Sequence, residues 1–217
     1  MEETDTGLGL VGRVLIEGLG IAAGDTWLFA GLDLDLPGGQ AVALMGPNGS
    51  GKSTLLRCLY GMQPPTEGSI AVFGTVPDER SAAFRREVSV LMDDSALFDE
   101  FSPRQHLDLL LRSYPDAHYP ADLVADLLAP AGLDHRVDVP AGDLSAGQRR
   151  RLLLLGCVAR PHRLLLLDEP ERALDTDGLD WLAGLVGEST AAGAAVVLAS
   201  HSRRLVEACA DQIVELG

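Results

Sequence analysis

Gly46-Pro47-Asn48-Gly49-Ser50-Gly51-Lys52-Ser53, followed by Thr54, is the stretch on which the fold turns. It stands between a short apolar run, Ala41-Val42-Ala43-Leu44-Met45, and a segment in which Leu55, Leu56, Leu59 and Tyr60 recur at helical spacing. The order strand, glycine-rich loop, helix aims successive backbone N–H groups at one place, and the helix N-terminus adds partial positive charge there. A polyphosphate fits such a cradle. Gly46, Gly49 and Gly51 let the main chain approach closely, and Pro47, Asn48 and Ser50 complete the turn. Lys52 brings a point charge to the β- and γ-phosphates, the Ser53 hydroxyl can ligate a bridging Mg²⁺, and Thr54 lies beside the α-phosphate.

A metal held this way needs a carboxylate at the end of a neighbouring buried strand. Leu164-Leu165-Leu166-Leu167 followed by Asp168-Glu169 supplies it: Asp168 to orient Mg²⁺ and its waters, Glu169 to polarise an attacking water as general base. A second uncharged run, Ala195 to Ala199, leads to His201, and Ile213-Val214-Glu215-Leu216 adds a last strand. Leu32-Asp33-Leu34-Asp35-Leu36 alternates as a half-buried strand does, and Pro37-Gly38-Gly39 then forces a turn. Between Asp78 and Asp143 the spacing is helical, through Leu107, Leu110, Leu111 and then Leu123, Leu127, Leu128, punctuated by Pro115, Pro120, Pro130 and Pro140. These patterns predict one α/β domain over residues 1–217. The glycine-rich loop resembles that of the P-loop NTPases, and the resemblance implies a P-loop NTPase (RecA-like) core with an N-terminal antiparallel β region (1–77 and 144–217) and an inserted α-helical subdomain (78–143).

With 217 residues, 47% of them hydrophobic, the chain suffices for one well-buried domain. A formal net charge of -15 spread along the chain argues against nucleic acid as a partner. The basic run Arg149-Arg150-Arg151 reads as a solvated helix face. Cys58, Cys157 and Cys209 are isolated, so neither a disulfide framework nor a zinc site is expected. No run approaches the roughly 20 apolar residues that cross a bilayer. Met1-Glu2-Glu3-Thr4-Asp5 is acidic, unlike the start of a signal peptide, so a cytoplasmic location without direct membrane insertion is expected.

Together with Leu144-Ser145-Ala146-Gly147-Gln148, these segments resemble the nucleotide-binding ATPase subunit of an ABC transporter of the bacterial single-domain type. That pentapeptide is similar to the family's signature motif, with Ala146 where glycine is commonest. Ser145 and Gln148 also form a capping box that opens a helix through Arg149 to Val158 and aims its amides outward at an anion. Ala173-Leu174-Asp175 resembles the family's D-loop, and His201 stands where its switch histidine does.

The resemblance implies ATP and Mg²⁺ as ligands and ATP hydrolysis as the activity. It implies head-to-tail closure on a second copy or a paralogous ATPase subunit, with Ser145 and Gly147 supplied to the ATP on the partner's phosphate loop, and Gln148 and Asp175 as further nucleotide-binding residues. It further implies transmembrane permease subunits on separate chains, with this chain peripheral on the inner face of the membrane. An ATP-dependent regulatory or binding module with weak or no hydrolysis is the alternative. Two positions depart from the family pattern. Asp93, followed by Asp94, stands where the Q-loop glutamine is usual; it can reach the metal through water but adds negative charge beside the triphosphate. The aromatic residue that stacks on adenine would fall near Ala23, whereas Trp27 comes four residues later.

Overall fold

The computed structural model describes residues 13–114, 119–120 and 122–217. The acidic start Met1 to Asp5 and Pro115 lie outside the described residues. Strands β1 (Val14–Ala23) and β2 (Thr26–Leu36) form an antiparallel hairpin. The alternation from Leu32 to Leu36 has the expected result: Leu34 and Leu36 are buried, Asp33 and Asp35 exposed. After the turn, β3 (Ala41–Met45) is buried along almost its whole length and leads through the glycine-rich loop into α1 (Lys52–Tyr60). Gly61 ends α1 in the left-handed conformation, its N–H returning to the carbonyls of Arg57 and Cys58. Strand β4 (Glu67–Val72) then pairs with β1, giving a three-stranded antiparallel sheet in the order β2-β1-β4.

The segment 78–143, expected to be a helical insertion, does not begin as one. After the short α2 (Ala82–Glu87), Val88–Leu91 forms β5, which pairs in parallel with β6 (Leu164–Asp168) at the edge of the core sheet. The helical part follows β5, as α3 (Pro103–Arg112) and α4 (Leu123–Leu128) packed on α5 (Ala146–Val158). Beyond β6 come α6 (Thr176–Ala191), β7 (Ala195–Ala199), α7 (Arg203–Cys209) and β8 (Gln212–Glu215). The core sheet is parallel, in the order β5-β6-β7-β3-β8. Both faces are covered, so its strands read as continuous apolar runs.

One face buries Leu55, Leu56 and Leu59 of α1 together with the antiparallel sheet. Each such fully buried leucine contributes about 1.5–3 kcal/mol of transfer free energy. The other face carries α5, α6 and α7 through Leu154, Leu182, Val186 and Leu205. A third cluster, including Leu107, Leu111, Leu128 and Leu152, holds the helical part to α5.

Candidate functional site

The strands of the core sheet end nearly level, with Leu91 opposite Leu167 and both Asp168 and Leu44 opposite Ala199. Whatever follows these strands therefore gathers at one edge: Asp93 after β5, Asp168 and Glu169 at β6, His201 after β7 and the glycine-rich loop after β3. In an open parallel sheet, ligands bind at this carboxyl edge.

The loop passes close to β8. Gly46 has φ 145°, and a β-carbon there would lie 2.1 Å from the carbonyl oxygen of Leu216. No other residue fits. The buried Lys52 folds its ammonium back to donate to the carbonyls of Gly46 (2.8 Å) and Pro47 (2.9 Å). Helix α1 starts with no capping side chain and no acid in its first turn, whereas serine or aspartate caps α2, α3, α5, α6 and α7. The first-turn amides of α1 therefore look outward for an acceptor, and an anion suits them.

The Ser53 hydroxyl donates to Asp168 Oδ1 at 3.0 Å, joining the loop to β6. Burial pushes the Asp168 carboxyl above the usual range, the hydrogen bond from Ser53 opposes that, and the charges of Glu169 and Asp93 add to it. A hydroxyl and a carboxylate are hard oxygen donors, and Mg²⁺ is commonly held by one or two such groups plus substrate phosphates. Among the described residues no group of three or more His, Cys, Asp or Glu is placed to hold a metal, so phosphate oxygens would have to share in its binding.

Glu169 turns the chain sharply. Its N–H donates to the Ala199 carbonyl at 2.8 Å, its φ is 44°, and Ala173, which ends the turn, has φ 62°. Such conformations cost on the order of 1–3 kcal/mol each and need support. Arg150 from α5 provides it, donating to the carbonyls of Asp168 (2.8 Å), Glu169 (2.5 Å) and Pro170 (3.2 Å). Part of the basic run expected to be a solvated face is thus turned inward.

The Glu169 carboxylate lies 2.9 Å from Arg172 Nη2 and 3.5 Å from His201 Nε2. Asp93, expected near the metal, is paired instead with the same Arg172 guanidinium. Asp93, and after it Glu169, holds that guanidinium more firmly charged than usual. Glu171 anchors the bend that carries His201: its Oε1 accepts from Ser200 Oγ (2.7 Å), His201 N (2.7 Å) and Ser202 N (3.2 Å). Neither Glu171 nor Arg172 is singled out by motif, because Glu171 meets the residues that follow β7 and Arg172 meets Asp93, which follows β5.

Ser145, Gly147, Gln148 and Asp175 gather at a different place. The capping box is present, with Ser145 Oγ accepting from Gln148 N (3.2 Å) and Gln148 Oε1 from Ser145 N (3.0 Å). Asp175 accepts from Gly178 N and from Arg151 Nη2, each at 2.9 Å. A cavity of about 370 Å³ lies among these residues and His135, and no residue of the glycine-rich loop lines it. A β-carbon on Gly147 would come 2.9 Å from the Ala173 carbonyl oxygen, which fixes glycine there. The glycine-rich loop and the Ser145 cavity are thus separate places on the chain.

Ala23 is exposed at the end of the hairpin, and Trp27 packs its ring over Gly20. The aromatic residue at the loop is Phe29, whose Cε1 lies 2.9 Å from where a β-carbon on Gly51 would be. Phe29 pairs with Ile21 in the β1–β2 hairpin, and nothing in the local sequence announces its approach to Gly51.

A family model described as ABC transporter matches residues 29–172. The cytochrome c biogenesis ATP-binding export protein CcmA of Dechloromonas aromatica is 36% identical over 194 residues, covering 89% of this chain and 95% of that protein. The nickel import ATP-binding protein NikO of Rhodobacter capsulatus is 37% identical over 209 residues, covering 86% and 78%. A solved structure titled as the ATP-binding subunit of an ABC transporter superposes with a TM-score of 0.81 at 24% identity, covering 94% of this chain and 85% of that one.

Proposed function

Because this chain belongs to the ABC transporter family and is an ATPase of its ATP-binding subunit type, we propose that it is the motor of a multi-chain transporter, closing on a second copy or a paralogous subunit around two ATP molecules. The observation that carries the reading is the Ser53–Asp168 contact at the uncapped start of α1, with Glu169 next in the chain. The backbone N–H groups of the Gly46 to Thr54 stretch, Pro47 having none, bind the triphosphate, and Lys52 exchanges its two carbonyl partners for the β- and γ-phosphates. Ser53 and Asp168 would hold Mg²⁺, which when bound would supply charge stabilisation to the phosphate oxygens. Glu169 takes a proton from the attacking water, and His201, held by Glu171, contacts the γ-phosphate.

The second half-site explains why two copies are needed. Ser145, Gly147 and Gln148 present the start of α5 to a nucleotide on the partner's loop, and Asp175 borders the same cavity. Hydrolysis removes the bridging phosphate, and the dimer opens.

No helix among the described residues is long and apolar enough to cross a membrane. In this reading permease subunits on separate chains do so, and the protein sits on the cytoplasmic face beside them. An apolar groove of about 300 Å³ between α3 and α5, lined by Leu97, Phe98, Leu109, Leu110 and Leu153, is a surface suited to such a subunit. An export protein and an import protein resemble the chain about equally. The similarity therefore favours neither direction of transport.

Steady-state hydrolysis of MgATP by the purified chain tests the reading. Glu169→Gln should lower turnover by about a hundredfold or more while MgATP still binds, as loss of a general base requires. Turnover equal to the parent's would show that Glu169 is not the base.

A further inference from the structure

We propose that Arg172 is a positioning residue that offsets the charge of Asp93 and steers Glu169, the Asp93–Arg172 pair together serving where a neutral side chain would otherwise stand. The inference rests on the ATPase reading above. Its geometry comes from the sheet. Leu91 is opposite Leu167 in the parallel pairing of β5 and β6, and Asp93 and Glu169 follow those residues by equal steps. Two carboxylates thus emerge level on adjacent strands, and the Arg172 guanidinium touches both.

The backbone that presents Arg172 is fixed on each side. The left-handed residues Glu169 and Ala173 bracket it, Arg150 holds the carbonyls of the turn, and Glu171 is tied to the bend at His201. Asp168 and Glu171 bring further carboxylates to the same edge, and a bound triphosphate would add more negative charge. Of the nearby cations, Lys52 belongs to the loop and Arg150 is occupied by backbone carbonyls. Arg172 is the one among them that meets Asp93. An isolated exposed ion pair changes an equilibrium only by a small factor. This guanidinium touches two acids beside one anion site, so its removal acts on the ligand as well as on its partner.

The test is a double-mutant cycle in the full chain, reading equilibrium binding of MgATP and turnover at saturating MgATP separately. Arg172→Ala should weaken MgATP binding about threefold to tenfold, because Asp93 and Glu169 then face the triphosphate uncompensated. Asp93→Gln should leave binding within about twofold and lower turnover about threefold to tenfold, because Arg172 is then committed to Glu169. In Asp93→Gln/Arg172→Ala the binding loss should be clearly smaller than in Arg172→Ala, because only Glu169 is then left uncompensated. Arg172→Lys, which keeps the charge, should retain most of the affinity. Thermal melting confirms that each exposed substitution leaves the fold intact. If Arg172→Ala weakens binding equally with and without Asp93→Gln, the pairing has no role and the inference falls while the ATPase reading stands. If Lys52→Ala also leaves MgATP binding unchanged, the nucleotide site itself is misplaced and both fall.

Discussion

Lys52 is the protein's single lysine, and its ammonium is buried against two carbonyls of the loop it serves. Both hydrogen bonds can be surrendered to phosphate, which offers a charged acceptor in place of a neutral one. Lys52→Ala should weaken MgATP binding by roughly tenfold or more, measured by titration with a fluorescent ATP analogue, with little change in the melting temperature. The loop, Asp168 and Glu169 are legible in the sequence because their chemistry is spelled in consecutive residues after an apolar run. Arg172, Glu171 and Phe29 are not. Each acquires its meaning from a neighbour far away in sequence, namely Asp93, Ser200 and Gly51, and such pairings come only from the sheet order.

At the scale of elements, β3, β6 and β7 can be read directly, since strands covered on both faces are uncharged and short. Strand β5 is hidden inside a segment whose spacing reads as helical, because its four residues follow the arginine-bearing α2 without a turn signal. Arg160, buried at the end of α5, ties these pieces together. It donates to the carbonyls of Arg86 (2.7 Å), Arg85 (3.2 Å) and Val88 (2.7 Å), and it lies 4.8 Å from the Tyr114 ring centroid. Arg160→Ala leaves several buried acceptors unpaired and should destabilise the protein by about 2–3 kcal/mol in urea unfolding.

His162, between α5 and β6, gives stability a pH dependence. Burial holds its pKa below the ordinary value; its Nδ1 donates to the Arg160 carbonyl at 3.0 Å, and its Nε2, 3.3 Å from Ser189 Oγ, can accept only when neutral. A lowered folded-state pKa means that the unfolded chain takes up the proton first. His162 therefore contributes fully above the unfolded value, about 6.5, and the contribution is lost as pH falls from there toward the folded pKa. His162→Gln should flatten the part of the stability profile between about pH 7 and 5 that is due to this residue.

At the scale of the whole molecule, no residue of the glycine-rich loop lines the Ser145 cavity of the same chain, and the proposed pairing of two copies would bring one to the other. Glu169→Gln with MgATP should elute at twice the monomer mass in size-exclusion chromatography. Adding Ser145→Arg, which places bulk and a long side chain at the start of α5, should abolish the shift without lowering nucleotide affinity of the monomer more than about twofold. Retention of the dimer would mean that the two half-sites do not meet.

The protein has two tryptophans. Trp181 packs beneath Arg151, 5.8 Å from its guanidinium carbon, and Arg151 in turn holds Asp175 at the rim of the second half-site. Trp27 is 47% exposed on the hairpin. One indole is therefore set partly buried against apolar clusters beside the surface that a proposed partner would cover, and the other is half-exposed on the hairpin over Gly20. Their emission should separate by wavelength, the partly buried Trp181 bluer than the exposed Trp27. Light collected at the blue edge would then follow docking in real time, with no label attached to the protein.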